Sequence, residues 1–298
     1  MSLLPPVTED LFRPDPDWQG KLKGLGWSLA FVALFVVAIV AIVLVQDSLL
    51  HQARAAGAVR SSVAAMARDE FLQTLALFAV LTPLAWKTRT TVQGLGFGGQ
   101  GLLRALGLGA ATGLALISLI LIGLVYMSMA RFGALSPLDT RALTNLFEFT
   151  ALFALVPLLE EGMMRSFLLN QLSRIAGFWP AALATSVIFM LTHVINPNET
   201  PLGLANVALV GLVLAWSRLR TGSLWFAIGF HAGWDWAQSY VFGVADSGQT
   251  MPGALLSVQI TGPVWLAGGA TGPEGGVLCS LALVALAAVV LWFWPKQA

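Results

Sequence analysis

Glu160 and Glu161 stand side by side in the apolar run 153–165, and Arg165 follows Glu161 by four residues. His193 closes the segment Phe189-Met-Leu-Thr-His193, and His231 precedes Asp235 by four in His231-Ala-Gly-Trp-Asp235. A charge at bilayer depth is expensive, so an ionisable residue kept there is a functional candidate. Glu160, His193, His231 and Asp235 together form a hydrolytic set. Glu160 is the candidate general base for a water, and His193 is suited to share and hold that water. His231 and Asp235 face one side of a helix. They would stabilise an oxyanion, or Asp235 would orient His231. Glu161 points about 100° away from Glu160 on a helix. It pairs with Arg165 in the favourable acid-before-base order, which neutralises one buried carboxylate and leaves Glu160 free.

The elements that carry these groups are membrane spans. Hydrophobic residues make up 57% of the 298, charged residues 10%, and the mean hydropathy is +0.79. Soluble domains hold about 25% charged residues, so this chain is an integral membrane protein. A net charge of +1 provides no basic surface for nucleic acid. The single cysteine, Cys279, excludes an internal disulfide and a Cys-rich metal framework.

About eight spans of roughly 20 residues fit the length. They read as 27–45, 71–86, 102–129, a fourth from residue 147, 179–195, 202–216, 223–242 and 277–294. Three regions follow: a polar tail 1–24, N-terminal transmembrane helices 25–140, and a catalytic transmembrane core 141–298. No cleavable signal is expected in the tail. Residues 46–69 read as a polar connection with His51 in solvent, and 130–145 as a loop. Residues 243–276, rich in Gly and Pro, read as a long structured loop of the kind that can act as a lid. Gly109 and Gly113 are spaced for close helix packing. Pro157 predicts a kink before Glu160. Basic residues, including Lys21, Lys23, Lys87, Arg89, Arg174, Arg218 and Arg220, favour both termini in the cytoplasm and read as topology charges.

Glu160-Glu161-x-x-x-Arg165, Phe189-x-x-x-His193 and His231-x-x-x-Asp235, in that order on successive apolar segments, resemble the CAAX protease and bacteriocin-processing family of intramembrane proteases. The resemblance covers residues 145–276, including Thr221-Gly-Ser-Leu-Trp225 and the loop Gly262–Glu274. It implies an all-α fold of about eight transmembrane helices around an intramembrane cavity. It also implies a metal-free endopeptidase with no cofactor, in which Glu160 and His193 activate water and His231 with Asp235 forms the oxyanion site. Phe189, Glu161 and Arg165 would support that site. Many members carry Asn where this chain has Asp235. An ionised aspartate cannot donate to an oxyanion, so Asp235 is either protonated or fixes His231. The implied partners are the lipid bilayer and a membrane-associated or lipidated, even prenylated, peptide. That peptide would approach from the cytoplasmic side or laterally in a bacterial inner membrane.

Two other readings compete. Glu160, His193 and His231 would suit Zn2+ with an open position for water. A transporter or non-catalytic partner-binding protein would also keep intramembrane charges, but a transporter should show paired repeats, and none is visible.

Overall fold

The computed structural model of this chain describes residues 9–55, 62–99 and 101–294. Residues 1–8 of the tail, Arg60 and Lys296 lie outside the described residues. The protein is an all-α polytopic membrane protein. Its long helices are α1 (Trp18–Ala55), α2 (Val63–Thr88) and α3 (Leu102–Tyr126). Strand β1 (Ala130–Leu135) precedes α4 (Thr140–Arg165), the short α5 (Phe167–Ala176), α6 (Phe178–His193) and α7 (Pro201–Thr221). Then come α8 (Trp225–Trp236), a wide π turn (Ala237–Val241), β2 (Leu256–Ile260), a single-turn α9 (Val264–Ala267) and α10 (Val277–Phe293).

Five helical stretches are long and apolar enough to cross a membrane: Trp18–Asp47, Val63–Thr88, Leu102–Tyr126, Thr140–Ala176 and Pro201–Thr221. The count of eight is reached only by adding the shorter α6, α8 and α10. The expected boundaries shift for identifiable reasons. Helix α1 begins at Trp18, inside the expected tail, where Asp17 accepts from the Gly20 N–H at 2.6 Å. It runs on to Ala55, so His51 lies on a helix and not in a loop. Ser62 caps α2, and Asp139 caps α4 by accepting from Arg141 and Ala142. Each supplies an acceptor for first-turn N–H groups that have no helical partner. Helix α4 is assigned without interruption through Pro157 and ends at Ser166, so the expected kink is not marked by a break. Residues 130–145 are not all loop: β1 pairs antiparallel with β2 of the 243–276 segment.

Hydrogen bonds sort the chain ends and loops onto two faces. On one face Arg174 of α5 pairs with Asp15, and Asn170 and Arg218 both donate to the Gly94 carbonyl. Arg220 donates to the Trp294 carbonyl there. Both described ends of the chain therefore share this terminal face. On the other, the loop face, Ser136 and Asn145 reach the carbonyls of Ala254 and Gly253, and Asn206 reaches that of Glu274. Arg174, Arg218 and Arg220, read from the sequence as topology charges, thus also tie loops to helices, and Arg218 is fully buried.

Helix α8 is fixed by backbone-to-backbone contact with α3. A Cβ at Gly109 would lie 2.2 Å from the Phe226 carbonyl oxygen, and one at Gly113 2.1 Å from that of Phe230. From the other side, a Cβ at Gly229 would lie 2.1 Å from the Leu106 carbonyl oxygen. Four glycines with Gly233 thus let the two backbones touch. Gly113→Ala should destabilise the protein by about 1–3 kcal/mol through overpacking. Gly107→Ala, on the same helix but facing open space, should be neutral or slightly stabilising. Thermal unfolding of the two variants in detergent measures the difference.

Candidate active site

Glu160 lies on α4, five residues before its end, where the helix crosses behind α8. His231 projects from α8 between carboxylates. Its Nε2 is 3.6 Å from Glu160 Oε2 and 3.3 Å from Asp235 Oδ2, and its Nδ1 is 3.2 Å from Glu161 Oε1. An ionised carboxylate only accepts, so the Glu161 contact assigns a proton to Nδ1. The contact with Asp235 holds one further proton, on Nε2 or on the carboxyl.

Glu161 makes one contact more than the sequence reading expects. It pairs with Arg165 as expected, at 3.1 Å, with both side chains wholly buried. The same oxygen also meets His231. The position of Glu161 on α4 faces α8 once the two helices pack. Arg165 is held in turn. Its guanidinium lies 4.4 Å from the centre of the Phe189 ring, and a Cβ at Gly211 of α7 would come within 2.8 Å of its Nη2. Phe189 also packs edge-on against His193 at 4.6 Å and His231 at 6.3 Å. One aromatic ring thus touches the cation and both imidazoles.

His193 ends α6. Its Nδ1 lies 2.9 Å from the Phe189 carbonyl oxygen, an acceptor, so Nδ1 carries the proton and Nε2 is left as the free acceptor. Glu160, His193, His231 and Asp235 all line one cavity of about 520 Å³. The cavity reaches the loop face through Met66, Asn196, Gln249 and Met251, and its lining includes none of the terminal-face anchors Gly94, Asn170 and Arg218.

Sequence reasoning missed four carboxylates on this cavity: Asp69 and Glu70 of α2, Asp246 and Glu274. Asp69 and Glu70 stand on α2, and only the fold of 243–276 turns Asp246 and Glu274 inward. Glu274 accepts from the Trp234 indole at 3.2 Å and from the Ser247 N–H at 2.8 Å, and Ser239 donates to Asp246 at 2.9 Å. Burial, and then the facing Asp235 and Glu274, push the Asp246 carboxyl well above the usual carboxylate range. Among the described residues, the group whose ligand atoms lie within 4.8 Å of one another is Asp235, Asp246 and Glu274. That set is all oxygen, unlike the Glu160, His193 and His231 set weighed for Zn2+.

Removing Arg165 would leave Glu161 charged and sealed from water. Arg165→Met should therefore cost about 3–5 kcal/mol, and adding Glu161→Gln should restore part of it. Denaturant unfolding of the single and double variants checks both.

Comparison with known proteins follows the same residues. An Escherichia coli protein described as "Uncharacterized 24.3 kDa protein" is 37% identical over 82 residues, which are 27% of this chain and 37% of that protein. The chain thus spans little more than a third of that relative's length. No solved structure matches. Residues 142–237 match the family model described as Type II CAAX prenyl endopeptidase Rce1-like. The match runs from the first turn of α4 to the residue after α8, so it takes in Glu160, His193, His231 and Asp235 but not the 243–276 loop. The likeness to the Rce1-like type II CAAX prenyl endopeptidases is thus carried by residues 142–237, about a third of the chain.

Proposed function

We propose that the protein is an intramembrane endopeptidase that hydrolyses a peptide bond with a water activated by Glu160. The observation that carries this reading is His231, set within 3.6 Å of Glu160 and anchored at its other nitrogen by Glu161, on a cavity shared with His193. Glu160 takes a proton from water as the water oxygen attacks the scissile carbonyl carbon. The acceptor Nε2 of His193 holds that water in line. The carbonyl electron pair moves to oxygen, and His231 Nε2–H stabilises the oxyanion. Collapse breaks the C–N bond, and Glu160 returns its proton to the leaving nitrogen.

Asp235 acts through His231. At 3.3 Å from Nε2 it keeps a proton at that nitrogen, the role that its replacement for Asn left open. Glu161 and Arg165 position the imidazole, and Phe189 packs both histidines. No metal enters the reaction in this reading.

The substrate is a membrane-associated or lipidated peptide. With the terminal face in the cytoplasm, as its Lys21, Lys23 and Lys87 favour, the cavity opens toward the opposite side. The substrate then approaches from the loop face or laterally, not from the cytoplasm.

Glu160→Gln should abolish cleavage of a reporter peptide in detergent, by at least about 10³-fold, with unchanged melting. His193→Ala should lower the rate by about 10²–10⁴-fold. EDTA should leave the wild-type rate intact. Loss on chelation with recovery on Zn2+ would replace the glutamate-activated water by a metal-bound one, and full activity of Glu160→Gln would remove the glutamate from the chemistry.

A further inference from the structure

The described residues lining the cavity include the carboxylates Asp69, Glu70, Glu160, Asp235, Asp246 and Glu274, and neither lysine nor arginine. Asp69 is paired with Arg68, but the groups that hold the two loop carboxylates are neutral: a serine hydroxyl on Asp246, and an indole, a backbone N–H and a hydroxyl on Glu274. They orient the oxygens without cancelling charge. Across the cavity's lip, Glu70 Oε2 is buried and without a hydrogen-bond partner. Among the described residues, His231 is the basic group beside the trio, and Glu160, Glu161 and Asp235 already share it, leaving Asp246 and Glu274 without one. Like charges within 4.8 Å cannot all stay ionised without a cation or a proton between them.

The rest of the lining differs in kind. Phe35, Leu152, Phe153, Val156 and Met163 of α1 and α4 give an apolar wall, whereas the carboxylate trio belongs to α8 and the loop. The cavity therefore sorts an occupant into an apolar part and a cationic part. Its volume of about 520 Å³ holds a few residues of extended peptide.

We propose that the site selects peptides carrying a lysine or arginine close to an apolar or lipid-modified segment, with the cationic head received by Asp246 and Glu274. This rests on the endopeptidase reading and names its substrate class. Glu160 and His231 stand beside Asp235, so the basic residue lies within a few positions of the bond that is cut. The carboxylates act as specificity-determining groups: a neutral side chain leaves them facing each other, and an acidic one adds to their repulsion.

The test measures binding apart from cleavage. Three fluorescent peptides share one apolar anchor and differ at a single position, which is Lys, Gln or Glu. Each is titrated by anisotropy into the full-length Glu160→Gln protein in nanodiscs of neutral lipid. The Lys peptide should bind about tenfold more tightly than the Gln peptide, a gap of ~1.4 kcal/mol. The Glu peptide should bind most weakly. In the Glu160→Gln/Asp246→Asn/Glu274→Gln protein the Lys preference should vanish, while affinity for the Gln peptide is kept. That retained affinity shows that the cavity is intact. Equal binding of Lys and Gln peptides, or a preference that survives both loop substitutions, overturns the proposal. So does saturable Ca2+ binding by the peptide-free protein that the loop substitutions abolish, since it gives the trio to a metal. A charge preference in a wild-type protein that cuts no peptide would instead sink the endopeptidase reading and leave recognition standing.

Discussion

A carboxylate sealed from water needs a cation or a proton, and for Glu161 the cation is Arg165. The pair lies four residues apart on α4, with no exposure on either side chain. Such pairs are poor sources of net stability, because desolvation consumes most of the attraction. Their use is geometric. The oxygen that accepts from Arg165 is the one that meets His231, so a helix-internal contact is converted into a helix-to-helix one. Arg165 is itself caught between the Phe189 ring and the bare backbone at Gly211. Helices α4, α6 and α7 thus converge on a single guanidinium, α8 is joined to it through Glu161, and the histidine's orientation is inherited from that arrangement.

The other half of the constraint is steric. The glycines of α3 and α8 leave no side chain between two backbones, so α8 cannot turn about its axis without collision. One residue of rotation, about 100°, would carry His231 away from both glutamates. Charge fixes one end of the imidazole and close packing fixes the helix beneath it. Neither would suffice alone, because a loose helix would let the histidine follow whichever carboxylate was stronger.

Much of this was legible before any coordinates. In a chain this apolar, Glu160, His193, His231 and Asp235 stand out because lipid gives them no solvent; a shared cavity is what the resemblance implies, and all four line one. Gly109 and Gly113 were legible as a packing pair because small residues every fourth position have few other uses in a span. The second contact of Glu161 was not legible, since it depends on how α8 is rotated against α4. The separate helix α5 was hidden because nothing in the sequence at Ser166 marks the break. Asp246, Glu274 and the β1–β2 pair were hidden for a common reason: short polar segments look alike whether they fold over a cavity or hang in water.

Helix α8 holds two of the candidate site residues, His231 and Asp235, and is 12 residues long, about 18 Å, well short of a hydrocarbon slab of ~30 Å. Irregular backbone must complete the crossing at both ends, and such backbone survives in lipid only when its polar groups are answered from within. Here they are. The Leu224 N–H donates to Gly96, the Trp225 indole to Phe97, and beyond the π turn the Leu255 N–H donates to Tyr240. The membrane around this helix is accordingly replaced, above and below, by a column of hydrogen-bonded peptide. Because those groups already satisfy one another, a helix too short to span can stay at mid-depth and ask nothing of the lipid.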